Sequence, residues 1–327
     1  MFFVSKISTS PSDQASAPLQ KVGCLRMQHK NKMVTPYLKY FLALLLFGSN
    51  GLIASSISLS SYEIVFLRTW IGSLLLLLLF VFSHQKFSFY KHKPDMFFLA
   101  ASGIAMGASW MFLYEAYQQV GVSLASLAYY CGPVLVMVLS PLLFHEALTW
   151  SKGIGFAAVL LGIFLVNGKA LSQGNVSFGL FCGGMSAVMY AAMVICNKRA
   201  ARISGLENAS IQLFISFFTV AVFVGVKQGF RISVPSADWI PILILGLLNT
   251  GVGCYLYFSA IGRLPVQTVA VCGYLEPLSA VLLSVCFLKE TLLPAQIAGA
   301  VLILGGAAFG EWFGIPKKLG TNRTCFL

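Results

Sequence analysis

The sequence predicts an all-α polytopic membrane protein: ten transmembrane helices arranged as two inverted five-helix repeats. Three observations predict it. These are ten long apolar stretches, a self-similarity at a fixed spacing of 144 residues, and a one-sided distribution of positive charge. Of 327 residues, 58% are hydrophobic and 10% charged, and the mean hydropathy is +0.83. Soluble domains carry about 25% charged residues, so this chain lacks the polar surface to stay in water.

A bilayer core needs roughly 20 apolar residues per helix. Stretches of that kind run over 37–56, 62–83, 96–117, 123–144, 152–168, 176–197, 208–228, 238–261, 266–288 and 293–314. They are continuous rather than alternating, which selects helices over the strands of a membrane barrel. Short connections favour antiparallel neighbours and leave no room for an extramembrane domain. Residues 1–35 read as a polar, basic, disordered cytoplasmic tail without the apolar core of a signal peptide, and 315–327 as a second cytoplasmic tail. Met27 or Met33 is an alternative start.

The two repeats span 36–168 and 176–314. Tyr130 and Tyr274, Pro133 and Pro277, Ser140 and Ser284, Glu146 and Glu290, Gly155 and Gly299, and Gly162 and Gly306 all stand 144 residues apart. Such a period marks a duplicated unit. With the N-terminus in the cytoplasm, 17 of the 22 Lys and Arg fall on the inner side. Only 4 fall outside (Lys169, Lys227, Arg231 and Lys289), and Arg68 lies within a span. By the positive-inside rule both termini are cytoplasmic. Five helices per copy is an odd number, so the second copy enters from the opposite face. Inverted repeats of this kind permit alternating access around a midplane site.

The formal charge of +12 sits in tails and alternate loops rather than on one basic face, which excludes nucleic-acid binding. The eight Cys lack disulfide or CxxC spacing and the four His form no HExxH, so neither a metal site nor a cofactor is expected. No triad, nucleotide loop or sensor domain is visible, and catalysis is not expected. The expected partners are the lipid bilayer of the cell (inner) membrane and a small-molecule substrate, with the protein a monomer.

The candidate binding residues lie at depth. Pro133 and Pro277, read as near the middle of helices 4 and 9, each remove a backbone donor and free a carbonyl. Such a carbonyl is tolerated only against protein or a watery cavity; a packing kink is the plainer alternative. Glu276 precedes Pro277 where a charge costs about 2.5–3.5 kcal/mol, so it should face the interior. It is a candidate for proton coupling or for a substrate ammonium, or else a structural acid bonded to broken backbone. Asn50 and Asn249 are polar at depth, and Trp110, Tyr130, Tyr190 and Tyr274 supply amphipathic rings. Arg68 and Glu115 lie nearer the outer ends, where long side chains snorkel, and read as gating or structural. Glu146 and Glu290 close helices 4 and 9 and read as caps on the loops that follow. The pair Gly103 and Gly107 is a small-residue pattern for close helix packing.

The segments Leu44–Gly51 (LLLFGSNG) and Glu63–Arg68 (EIVFLR) are similar to the start of an EamA-type unit. So is the run from Pro133 through Glu146 and Gly155 to Gly162. Tyr274–Pro277 (YLEP), Lys289–Leu292 (KETL), Gly299 and Gly306 resemble that family's second copy. The resemblance covers Pro36 to Phe313 and implies the drug/metabolite transporter superfamily. It implies ten helices, two inverted repeats, cytoplasmic termini, and a secondary exporter of amino acids or related metabolites. Phe47 departs from the pattern, standing where the family often has Trp, as does Glu115. Exchange of phosphorylated or nucleotide-linked solutes and a membrane-embedded enzyme or sensor are the alternatives. A phosphate would want several buried cations, and Arg68 alone is available.

Overall fold

A computed structural model describes residues 35–85, 87–120, 125, 128–146, 149–167, 177–230, 232–288 and 294–313. Both tails and Glu290 lie outside them. The long apolar stretches fold as helices, and no strand occurs among the described residues. In chain order they are α1 (Thr35–Ala54), α2 (Ser61–Phe82), α3 (Lys93–Val120) and α4 (Cys131–Phe144). There follow α5 (Trp150–Asn167), α6 (Ser177–Arg199), α7 (Gly205–Lys227) and α8 (Ser236–Ile261). The last three are α9 (Val266–Cys272), α10 (Leu275–Leu288) and α11 (Pro294–Phe313). Six of these, α1, α2, α3, α6, α7 and α8, are long and apolar enough to cross a bilayer. Large apolar side chains point outward, among them Phe82, 74% exposed, and Val226, 85% exposed. A contiguous surface of this kind suits lipid and not water.

Helix α2 starts on a capping box, with the Ser60 backbone N–H donating to Glu63 (2.9 Å) and the Glu63 N–H to Ser60 Oγ (3.4 Å). Its repeat equivalent in α7, Glu207, instead accepts from the backbone of Ser88 (2.6 Å) and Phe89 (3.0 Å).

Equivalent helices of the two halves pack on each other in opposite directions. Ser73 of α2 donates to the carbonyl of Leu213 in α7, and Ser210 of α7 donates to Leu76 of α2, both at 3.1 Å. As the numbers rise in one helix they fall in the other, so the pair is antiparallel. In α5 and α11, Gly155 faces the Gly306 carbonyl and Gly162 faces that of Gly299, again in reversed order. A Cβ on Gly162 would stand 2.5 Å from the Gly299 oxygen, so only glycine allows this approach.

Other contacts are exchanged by the same relation. Gly103 and Gly107 of α3 lie against α7, at Ile215 and Thr219. Gly246 and Gly251 of α8 lie against α2, at Ile71 and Leu75, residues 144 positions earlier. At one end of the bundle the Ser58 N–H donates to Asp238 (3.0 Å), and at the other the Arg202 N–H donates to Asp95 (2.9 Å).

The expected tenth-scale pattern needs two corrections. The stretch 266–288 is not one helix: it breaks at Gly273 and Tyr274 into α9 and α10. Likewise the stretch 123–144 is interrupted by a turn at Tyr130, between helical Tyr129 and the start of α4 at Cys131. Pro133 and Pro277 therefore occupy the first turns of α4 and α10 and not mid-helix positions. First-turn N–H groups have no intrahelical partner, so a proline there sacrifices no hydrogen bond. The proline inside α4 is Pro141.

Candidate functional site

A cavity of about 60 Å³, or about 510 Å³ when all the empty space down to its open mouth is included, lies between the halves, lined from α1, α2, α3, α6, α8 and α10. Its polar lining includes Asn50, Arg68, Ser109, Tyr190, Tyr257 and Glu276; Phe47, Met106, Trp110, Tyr129, Met193 and Phe258 give it apolar walls. It thus combines an aromatic box with one guanidinium and one carboxylate, the usual composition of a small-molecule pocket.

Of the residues expected to bind, Asn50, Trp110, Tyr190 and Glu276 line it. Trp110 stands over the Arg68 guanidinium at 4.9 Å, and the Tyr190 and Tyr257 hydroxyls meet at 3.3 Å. The Tyr257 ring packs on Tyr40, whose hydroxyl donates to the Val269 carbonyl in α9 (2.7 Å). Every residue of α9 is buried, so this short helix packs wholly inside the protein, behind Tyr40 and the cavity tyrosine it touches.

Five expected residues do not line it. Tyr274 is fully buried and its hydroxyl donates to the Tyr130 carbonyl at 2.8 Å, so these two repeat partners join the two helix breaks. Pro133 and Pro277 are buried behind them. Asn249 donates its amide to Leu46 O (2.7 Å), Ser49 Oγ (2.8 Å) and Asn50 Oδ1 (3.0 Å), which orients Asn50 from behind.

Three charged residues behave differently from expectation or sharpen it. Arg68 does not snorkel outward: it is 5% exposed and lines the cavity, because Thr250 accepts from its Nε at 3.1 Å and Trp110 covers its face. Glu146 does not cap the loop after α4. Its two carboxylate oxygens accept from the backbone N–H groups of Val266 (2.8 Å) and Gln267 (3.1 Å), capping α9 of the other half. Beside it Lys198 donates to the carbonyls of Ile261 and Leu264, fixing the turn that enters α9. Glu115 pairs with Lys227 (3.1 Å) and accepts from Tyr62 and Gln119, tying α3 to α2 and α7 at the opposite end.

Sequence reasoning left out Phe47, Met106, Ser109, Met193, Cys254 and Phe258 as lining residues. Helical spacing carries a signal for them. Met106, Ser109 and Trp110 share a face of α3, as do Tyr190 and Met193 of α6 and Cys254, Tyr257 and Phe258 of α8.

Helix α8 carries the least regular backbone of the site. Leu245–Val252 is π-helical, with Thr250 Oγ1 donating to the carbonyl of Leu245 (2.9 Å). Two glycines four apart, Gly103 and Gly107, contact α7, whereas their counterparts Gly246 and Gly251 are five apart. The second copy thus holds one extra residue here, and a π-turn is how a helix absorbs it; such turns gather at functional sites.

A crystal structure with 21% sequence identity superposes with a TM-score of 0.74, covering 85% of this chain and 98% of that one, which fixes the fold. The chain is 25% identical to the uncharacterized transporter YxxF of Bacillus subtilis over 84% of its own length and 88% of that protein's. It is 24% identical to the threonine/homoserine exporter RhtA of Escherichia coli, covering 77% and 82% respectively. It is 25% identical to a probable terminal-alkyne amino-acid exporter of Streptantibioticus cattleyicolor, covering 56% and 61%. The model of the EamA-like transporter family matches residues 35–168 and again 177–310, so the chain belongs to that family, with one copy of its domain in each half.

Proposed function

We propose that this protein is a secondary active exporter of small metabolites, foremost amino acids and related compounds, working by alternating access across the cell (inner) membrane. The observation that carries the reading is the cavity itself, set between halves whose equivalent helices run antiparallel and walled by residues of both. Antiparallel equivalents are what an inverted pair of five-helix units requires, with α9 and α10 together making one of ten crossings. Both termini are then cytoplasmic, Glu146 and Lys198 act at the inner end, and Glu115 and Lys227 at the outer end. The exporter names of two relatives support the substrate class.

Glu276 is the coupling residue: a carboxylate in a largely apolar cavity can trade a proton against a substrate ammonium. Asn50, Trp110 and Tyr190 bind the substrate directly, while Tyr130, Pro133, Asn249, Tyr274 and Pro277 shape the walls. Glu115, Glu146 and Glu290 serve the gates.

Purified protein in proteoliposomes should move a labelled amino acid when a proton gradient is imposed. Glu276→Gln should abolish the gradient dependence; a mutant flux still driven by the gradient removes Glu276 from coupling. Phosphorylated solutes are disfavoured because, among the described residues, Arg68 is the one cationic side chain lining the cavity. A complete absence of solute flux would favour the sensor or enzyme reading.

A further inference from the structure

Two opposite charges share the cavity yet do not pair. Arg68 and Glu276 both line it, and among the described residues the Lys227–Glu115 contact is the only ion pair within 4.0 Å. The Arg68 guanidinium makes one hydrogen bond to a described residue, from Nε to Thr250 Oγ1. Its terminal amino groups make no hydrogen bond to a described residue, in a side chain that lines the cavity and is 5% exposed. A planar guanidinium fork facing a cavity matches a carboxylate in two parallel hydrogen bonds.

Thr250 fixes the direction of that fork. A hydroxyl has one proton, and that of Thr250 is committed to the Leu245 carbonyl. Towards Arg68 its oxygen can only accept, so Nε–H is held on it and the terminal amino groups turn elsewhere. Gly72 lets α2 and α8 approach closely enough: a Cβ there would stand 2.9 Å from Thr250 Cγ2 and 3.1 Å from the Gly246 carbonyl. The hydroxyl owes its place to the π-turn, because the extra residue falls between Gly246 and Gly251. Trp110 of α3 packs its ring against the guanidinium, with Cζ 4.9 Å from the ring centre.

We propose that Thr250 is a positioning residue that aims Arg68 at the carboxylate of a zwitterionic substrate, whose ammonium lies towards Glu276. The proposal rests on the transport reading above and adds to it a fixed substrate orientation and a residue that sets it. Substrates carrying both charges fit, and those lacking the carboxylate lose the Arg68 end.

The test is thermal stabilisation of the purified full chain by the twenty L-amino acids. The best ligand is then compared with its decarboxylated amine and its deaminated acid, on wild type, Thr250→Val and Thr250→Ser. Wild type should bind the amino acid and the acid, and Thr250→Val should weaken both about tenfold, the scale of one charge-assisted hydrogen bond. The amine should bind both proteins alike, and Thr250→Ser, which keeps the acceptor, should restore the wild-type value. Equal loss of acid and amine in Thr250→Val would mean a general packing defect and overturn the proposal. Amines bound and transported without any amino acid would overturn it while leaving the exporter reading intact. Failure of all three ligand types to bind or move would bring down both.

Discussion

Positions 68 and 212 stand 144 residues apart at the same point of α2 and α7, yet they meet opposite surroundings. Arg68 presents a charge to the cavity. Gln212 is fully buried in an amide network, accepting from Asn197 Nδ2 (2.7 Å) and donating to Ser102 Oγ (2.8 Å). Positions 132 and 276 diverge in the same way. Glu276 lines the cavity, whereas a Cβ on Gly132 would stand 2.7 Å from the Tyr190 ring, which fills the space a side chain would need. Contacts that only require closeness, such as glycine on a carbonyl, keep the repeat. Contacts that face the cavity break it: there the first half supplies a guanidinium and the second a carboxylate, and neither has its like in the other copy.

The glycine seams offer the harshest way to break this comparison. Gly162→Leu drives a side chain into the Gly299 carbonyl and Ile303, and Gly306→Leu, whose Cβ would stand 2.5 Å from the Gly155 carbonyl, attacks the same seam from α11. Overpacking costs about 1–3 kcal/mol where side chains can yield, and a backbone oxygen yields less. Both variants should lose most of their monodisperse protein on size exclusion in detergent, while Gly305→Leu, which meets open space, should not.

Next in size is the contrast between positions 68 and 212. Gln212→Leu leaves the Asn197 amide with Asn208 as its one described acceptor, and should lower the thermal midpoint by the equivalent of about 1–3 kcal/mol, leaving ligand-induced stabilisation intact. Arg68→Gln should do the reverse, removing ligand-induced stabilisation with a smaller change in the unliganded midpoint. If the two variants exchange signatures, the division between scaffold and site is wrong. The smallest effect belongs to Lys227→Met. The Lys227 side chain is 49% exposed, so the loss should stay within about 1 kcal/mol in thermal unfolding.

The period of 144 residues anticipated the two copies, and the apolar runs anticipated where helices form. What escaped was angular and non-local. Depth along α2 made Arg68 look like a snorkelling residue, because position in a hydropathy run says nothing about which way a side chain turns around the helix axis. Its acceptor, Thr250, sits in a π-turn that a 3.6-residue period cannot express; the glycine spacing of five against four was the only trace. Pro133 and Pro277 were read as the breaks themselves, since hydropathy runs unbroken through 123–144 and 266–288. The breaks fall instead at Tyr130 and at Gly273–Tyr274, one turn earlier. Glu146 looked local because its partner, the start of α9, is 120 residues away in sequence.

The bond from the Tyr274 hydroxyl to the Tyr130 carbonyl joins a residue to its own duplicate, so it straddles the pseudo-dyad. A symmetric axis admits a mirror version, in which Tyr130 donates and Tyr274 accepts. Here Tyr274 is wholly covered and Tyr130 half-covered, so this conformer has already chosen one of the two. Under the alternating access proposed above, swapping the shapes of the halves should reverse the donor, making these phenols an indicator of which doorway is shut.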